Sequence, residues 1–410
     1  MIDVAREHFV ARREPPRKMR STRPGGRRTP VRILHVVSRM YRAGIQAWLM
    51  HVLRHTDRAE CQMDFLVHSE KPGDFDQEIE SLESKLLYAP ALRQFWRYEK
   101  LTANVLRTVP PYDIIHSHLD YFSGYPLKCA SRAGIPVRIA HSHSDLARSH
   151  SRLRWPLRLY ASRSQSLISR YATHGLAASD VAGEALFGKT KSRLPWRVLP
   201  CGVDLAAFSP RPGHDDVRRE FGIPDHAVVI GHVGRFVREK NHELIVHVAE
   251  ALFQRSCRSH LVLVGDGPLR TNVEENINRR GFRGQVTFAG VRADVPRLFT
   301  SLFDVLLFPS QFEGLGLAVI ESLAAGCPAV ISDVVPPEAD VVPSLVTRIS
   351  LSSSPEQWAD AVLLAANQRP SSEERAAAWE AVCHSPFNIS ACVEELTDFY
   401  LREHSRERAA

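Results

Sequence analysis

The sequence predicts an α/β protein of two doubly wound, Rossmann-like halves that face one another across a ligand cleft. Three observations carry this. The chain has 410 residues, too many for one ordinary domain and suited to two of about 200 each. Short, β-branched apolar runs alternate with helix-period segments, the pattern of parallel βαβ units. A Pro- and Gly-punctuated stretch from Pro200 to Pro224 interrupts that rhythm, after which it restarts.

The first half opens with Val31–Val37 (VRILHVV), which reads as a buried strand, followed by a turn at Gly44 and a helix to about His55. Further strands are predicted at Met63–Val67, Asp113–His116, Val137–His141 and His174–Ala178. Helix-period segments between them lie near Phe95–Thr108, Tyr121–Ala133, Leu153–Tyr171 and Asp180–Phe187. In the second half, strands are predicted at Val228–Val233, His260–Val264, Val286–Phe288, Val305–Phe308 and Ala329–Ile331. Helices are expected near Glu243–Gln254, Leu269–Asn278, Val295–Thr300 and Leu317–Ala325. A last helix near Ile389–Arg402 follows the break at Pro386 and is expected to pack back on the first half. The resulting division is a basic tail (1–30), a first domain (31–205), a second domain (206–385) and a C-terminal helix (386–410). Ligand is expected at the carboxyl ends of the strands.

The charge is informative once it is located. The chain carries 53 Lys and Arg against 46 Asp and Glu, a formal charge of +7. Residues 1–30 supply +6 of it through Arg6, Arg12, Arg13, Arg17, Lys18, Arg20, Arg23, Arg27 and Arg28 against Asp3, Glu7 and Glu14. The remainder is close to neutral, so a nucleic-acid partner is not expected. Tails of this composition are disordered, and two readings stay open: a solvated appendage, or a segment that meets anionic lipid. No apolar run reaches the roughly 18 residues of a spanning helix, and the arginine-rich start lacks the apolar stretch of a secretory signal. Seven scattered cysteines without a CxxC pair point to reduced thiols and a cytoplasmic setting.

Four segments could carry chemistry. Pro309–Glu321 (PSQFEGLGLAVIE) runs from a strand through a glycine loop into a helix. Its glycines let backbone approach a ligand, and the first helical turn offers free N–H groups to phosphate. Glu313 and Glu321 are suited to hydroxyl pairs, or else are solvated surface carboxylates. Gly234–Asn241 (GRFVREKN) places Arg235 and Lys240 at a strand end, where a diphosphate would sit; the plain reading is a solvated basic loop. Val264–Pro268 (VGDGP) is good turn chemistry and weak functional evidence. The turn at Arg42–Gln46 is not GxGxxG, and without an acid placed for an adenosine ribose a dehydrogenase falls back.

The histidine pairs His116/His118 and His141/His143 each share one strand face, so a metal site, satisfied structural histidines and hydrogen bonding at the cleft all stay open. His141, ending VRIAH, is the better cleft candidate. Arg148–Arg170 holds six arginines and no acid among aromatic and aliphatic residues. It reads either as a helix with a basic outer face or as one that lies on an anionic membrane. GxSxG does not occur, which weakens serine hydrolases.

Together these segments resemble the retaining glycosyltransferases of family 4, which have the GT-B architecture. The match runs from about Val31 to Tyr400: the turn at Gly44, HSH at 116–118, AHSH at 140–143, LPCGVDLAAF at 199–208, GRFVREKN at 234–241, VGDGP at 264–268, DVPRLF at 294–299 and EGLGLAVIESLAAGCP at 313–328. The first half looks like the branch used in exopolysaccharide and capsule assembly.

The resemblance implies that Arg235 and Lys240 grip the donor diphosphate, Glu313 lies near the donor sugar and Glu321 holds the ribose hydroxyls. It further implies that the Gly316 and Leu317 amides meet the pyrophosphate, His141 lies near the sugar and Gly44 lies near the phosphates or acceptor. The implied activity is retaining, metal-independent hexosyl transfer from a nucleotide diphosphate sugar, a UDP-sugar, to a growing lipid-linked glycan. It needs no cofactor and takes place at the inner face of the cytoplasmic membrane. Alternatives are a GT-B nucleotide-sugar epimerase and a catalytically silent nucleotide-sugar-binding scaffold. Departures are Cys201 for Asn, Ala43-Gly44 for Gly-Gly and Leu315 for an aromatic. The first two bear on loop geometry and the third on packing.

Overall fold

The computed structural model describes residues 29–89, 95–145, 155–188, 194–209, 217–255 and 258–409. The first half holds β1 (Val31–Val37), β2 (Cys61–Val67), β3 (Leu86–Tyr88), β4 (Ile114–Ser117), β5 (Val137–Ser142), β6 (His174–Ala177) and β7 (Trp196–Val198). They form one parallel sheet in the order β3-β2-β1-β4-β5-β6-β7. The second half holds β8 (Val228–Val233), β9 (Ser259–Val264), β10 (Val286–Gly290), β11 (Val305–Phe308), β12 (Ala329–Ser332) and β13 (Val346–Ile349). Their order is β10-β9-β8-β11-β12-β13, again all parallel.

Central strands such as β4, β9, β11 and β12 are buried along their whole length. Helices cover both faces, which is why these strands read as continuous apolar runs rather than alternating ones. Each sheet reverses its order once, at β1/β4 and at β8/β11. Right-handed crossovers leave on opposite faces there, and a crevice opens at the carboxyl ends. The expected two-sheet α/β fold is present, and the crevices place the candidate segments.

Several elements differ from the sequence expectation. Strands β3, β7 and β13 are short and only partly buried, so they carry no long apolar run. The helix expected from Tyr121 starts at Gly124, after a 3-10 turn at Asp120–Ser123. Helices Pro355–Ala366 and Ser372–Cys383 lie where the sequence pattern predicts none. Capping boxes Ser354/Gln357 and Ser371/Glu374 mark their starts. The tail through residue 28, and Arg148, Arg152 and Arg154, lie outside the described residues.

The C-terminal helix Ile389–Ala409 packs on the first sheet. Its carboxylate Glu403 pairs with His174 at 3.2 Å, and Glu395 with Arg197 at 3.0 Å. The chain enters it through a backbone exchange: Val203 N–H donates to Phe387 O, and Ile389 N–H to Val203 O. Among the described residues no helix is long and apolar enough to cross a membrane.

Candidate active site at the cleft

Two loops leave the carboxyl ends of β8 and β11 and are sewn together by backbone groups. Asn241 takes the left-handed conformation (φ 55°), which turns its amide toward the neighbouring loop. Its Nδ2 donates to Pro309 O at 3.1 Å, Gln311 N–H donates to Glu239 O at 2.8 Å, and Gln311 Nε2 donates to Asn241 Oδ1 at 3.3 Å. This stitch brings Lys240 Nζ to 2.5 Å from Glu313 Oε1, with the ammonium 4.6 Å above the Phe308 ring. Both side chains are mostly withdrawn from water, at 20% and 12% exposure, so their attraction is weakly screened. Glu321 lies in the second turn of helix Leu317–Ala324. Burial pushes its carboxyl up to about 7, and the Lys240 charge works against that.

Arg235 stands apart from this group. It is exposed, lies 5.3 Å from the centre of the Tyr41 ring and donates to the Tyr41 hydroxyl at 3.2 Å. Its loop is backed by the VGDGP turn. Phe236 N–H donates to Asp266 O, and Leu269 N–H to Phe236 O, both at 3.0 Å. Gly265 has φ +127°, and a Cβ there would fall 2.1 Å from Gly234 O. Only glycine satisfies both demands, so that turn supports the loop rather than binding ligand itself.

Helix Leu317–Ala324 starts from Gly316 at φ 89° with no side-chain cap. Helix Gly44–His55 likewise starts without a side-chain cap and with no acid in its first turn. The two starts meet across the cleft, since a Cβ on Gly44 would lie 3.7 Å from Leu317 Cδ1. Each leaves N–H donors unused inside its helix and carries a partial positive charge of about half a unit. Two such ends beside Arg235 and Lys240 suit a diphosphate.

The first half reaches the same loop from β5. A Cβ on Gly314 would fall 1.8 Å from His143 O, and the Ser179 hydroxyl donates to Gly314 O. Glycine at 314 therefore lets the two halves touch through backbone. Leu315 is buried, as its packing role required.

Behind this contact lies a buried cluster of His35, His116, His118, His141 and His143. Tyr400 Oη is 2.6 Å from His116 Nδ1, and His116 Nε2 is 3.1 Å from His141 Nδ1. His35 Nδ1 is 3.0 Å from His118 Nε2, His118 Nδ1 is 2.9 Å from His143 Nε2, and His143 Nδ1 is 3.6 Å from Cys201 Sγ. Burial holds all five rings below the ordinary imidazole value, His35 and His143 at about 3, so they are neutral at physiological pH. Nitrogens of His35/His116/His118 and of His118/His141/His143 lie within 4.8 Å of one another, close enough for a metal. The rings instead bond to each other, and among the described residues no carboxylate joins either group of nitrogens to offset a divalent ion; the Asp120 carboxylate meets His143 through its backbone N–H, at 3.4 Å. Of the three open readings, rings bonded to one another in a buried site fit structural histidines, with His35 Nε2 and His141 Nε2 the two ring nitrogens of the cluster that have no partner among the described residues.

The structure thus brings together Lys240, Glu313, Glu321, Gly316, Leu317 and Gly44. Arg235 adjoins them on Tyr41, and His141 stands behind the Gly314 contact. Sequence reasoning missed His35, Tyr41, Asn241, Gln311 and Tyr400. A short-range signal existed only for Asn241, an αL-tolerant residue just before a helix. On the basic helix, now bounded as Trp155–Tyr171, Ala161, Ser164 and Ile168 are buried. Arg158, Arg163 and Arg170 are exposed there, beside a Leu159 that is 64% exposed.

Residues 43–202 match the sequence family described as a glycosyl transferase 4-like domain, and residues 214–381 match glycosyl transferases group 1. A Bacillus subtilis protein named as the glycosyltransferase EpsF is 35% identical over 82% of this chain and 88% of its own. An Escherichia coli protein is 25% identical over 54% of this chain and 59% of its own. Its name is UDP-Gal:α-D-GlcNAc-diphosphoundecaprenol α-1,3-galactosyltransferase. Among solved structures, Anabaena HepE in complex with UDP and glucose superposes with TM-score 0.75 at 18% identity, covering 91% of this chain and all of that one. Family matches on both halves, a relative matched over most of both chains and the GT-B fold agree with the site: the chain belongs to glycosyltransferase family 4, in its exopolysaccharide-type branch.

Proposed function

We propose that the protein transfers a hexosyl group from a UDP-sugar to a growing lipid-linked glycan, with retention and without an active-site metal. The observation that carries this is the Lys240–Glu313 pair set beside two uncapped helix starts and Arg235. Supporting it, HepE is described with UDP and with UDP-glucose, and the E. coli relative is named for a UDP-sugar donor and a diphosphoundecaprenol-linked acceptor. The name EpsF supports an exopolysaccharide product.

In this reading Glu321 accepts hydrogen bonds from the ribose hydroxyls and Glu313 from those of the sugar. Arg235, Lys240 and the amides at Gly316 and Leu317 hold the diphosphate. Transfer breaks the bond between the sugar C1 and the diphosphate oxygen, and forms one between C1 and the acceptor oxygen on the same face. The acceptor proton passes to an oxygen of the departing diphosphate. Negative charge grows on that diphosphate as the bond breaks, so the fixed cations stabilise the transition state more than the ground state. An epimerase would need no acceptor, and a silent scaffold would show neither donor hydrolysis nor transfer.

Arg235→Ala and Glu313→Ala are each expected to lower kcat/KM by about 100-fold or more in a transfer assay with an identified donor. Full turnover in both would remove the site assignment. Glu321 supplies a pH signature. With its carboxyl raised to about 7, it is protonated below that pH and accepts ribose hydroxyls fully only above it. Affinity for UDP should therefore rise roughly tenfold between about pH 6 and about pH 8. Glu321→Gln retains any ionisation of the nucleotide itself, so an equal slope in that variant contradicts the role. By the same sign, the group's contribution to stability is complete below the ordinary carboxyl value and is lost as pH rises through about 7.

The basic tail with Arg158, Arg163 and Arg170 is proposed to favour the anionic inner face of the cytoplasmic membrane. Deleting residues 1–30 is expected to weaken binding to anionic liposomes in low salt and to leave transfer to a soluble acceptor intact. Unchanged liposome binding removes the membrane role of the tail.

A further inference from the structure

Tyr400 and the histidines behind His141 take no step in the chemistry above, yet they are built with a direction. Tyr400 is buried on helix Ile389–Ala409, and its hydroxyl has one hydrogen-bond partner among the described residues, His116 Nδ1 at 2.6 Å. A neutral imidazole has one donor and one acceptor nitrogen, and a phenol can donate one proton. If His116 Nδ1 carried the hydrogen, the phenolic proton would have no acceptor in a buried site, and His141 Nε2 would be an unmatched lone pair. If Tyr400 donates, His116 Nδ1 is bare and His116 Nε2 carries hydrogen. It then donates to His141 Nδ1 at 3.1 Å, and the hydrogen of His141 must sit on Nε2. Along Tyr400, His116 and His141 one group is then left without a partner among the described residues, the buried His141 Nε2–H. The second arrangement strands fewer polar groups and is favoured.

The ring is also held in place. Trp48 meets His141 edge-on at 5.4 Å and 84°, and His143 stacks on it at 4.0 Å. Burial keeps the Tyr400 phenol protonated and the imidazoles neutral, so neither end of the chain changes charge near neutral pH.

We infer that Tyr400 and His116 are positioning residues that fix His141 as the Nε2–H tautomer, so that it presents a hydrogen-bond donor to an oxygen of the transferred sugar. This rests on the proposed donor reading of the cleft. It joins the C-terminal helix to sugar recognition: β1 and β4 run side by side with His35 opposite His116, and the helix closes over them.

Two readouts test it. Long-range ¹H–¹⁵N spectra of histidine-labelled protein should show His141 protonated at Nε2 and bare at Nδ1, whether or not any donor binds. In Tyr400→Phe, which keeps the ring, that single pattern should give way to a mixture. In the same variant, kcat/KM for the UDP-sugar should fall about tenfold while UDP affinity stays within about twofold. His116→Gln can still accept from Tyr400 and donate to His141, and should retain sugar discrimination that His116→Leu loses. A native spectrum with hydrogen on His141 Nδ1 overturns the inference, as does an unchanged spectrum in Tyr400→Phe. So does one equivalent of zinc or copper retained by the protein after dialysis. If the spectra agree but no nucleotide sugar binds, the donor reading fails and the tautomer assignment stands.

Discussion

The ion pair between Lys240 and Glu313 exists because two loops that leave adjacent central strands are sewn together through backbone. Neither residue could find the other from its own loop alone. Asn241 provides the left-handed turn that ends the first loop, and Gln311 bonds to both Asn241 and Glu239. The reversal of strand order at β8/β11 is what makes those loops neighbours. With the pair in place, Glu321 is left half-buried beside a cation, and the start of helix Leu317–Ala324 opens onto the same space. The charge arrangement thus follows from topology first and from side-chain choice second.

The first half repeats the same strand order with different contents. Where the second half puts cations and carboxylates, the first puts neutral imidazoles and one tyrosine. A buried charge there would meet a large desolvation cost, whereas neutral rings satisfy most of their hydrogen bonds among themselves and leave His35 Nε2 and His141 Nε2 without a partner among the described residues. Contact between the halves runs through Gly314 against His143 O and Ser179 on Gly314 O. The neutral cluster and the charged pair are therefore separated by little more than one loop.

Much of this was legible in the sequence, for identifiable reasons. Buried central strands such as Val305–Phe308 announce themselves as apolar runs, and glycine loops ending in helices mark the crevices. Arg235, Lys240, Glu313 and Glu321 stood out because charged residues at strand ends are informative. The edge strands Leu86–Tyr88, Trp196–Val198 and Val346–Ile349 were illegible because half-buried edges carry no run. Tyr400 could not have been linked to His116 from the sequence, since 284 positions separate them and no local pattern marks the pair. His35 was hidden inside VRILHVV, where a buried polar residue looks like any strand position. Cys201 was flagged as a departure in a turn; its thiol lies by His143, so that substitution bears on the cluster as well.

The central claim is that one diphosphate lies between both helix starts, touched by the first half at Gly44 and by the second at Arg235, Lys240 and Leu317. Amide hydrogen exchange with and without UDP measures this directly. The account predicts that UDP slows exchange in residues 42–48 together with residues 234–241 and 313–321. Protection confined to the second half, with residues 42–48 exchanging as in the free protein, would contradict it.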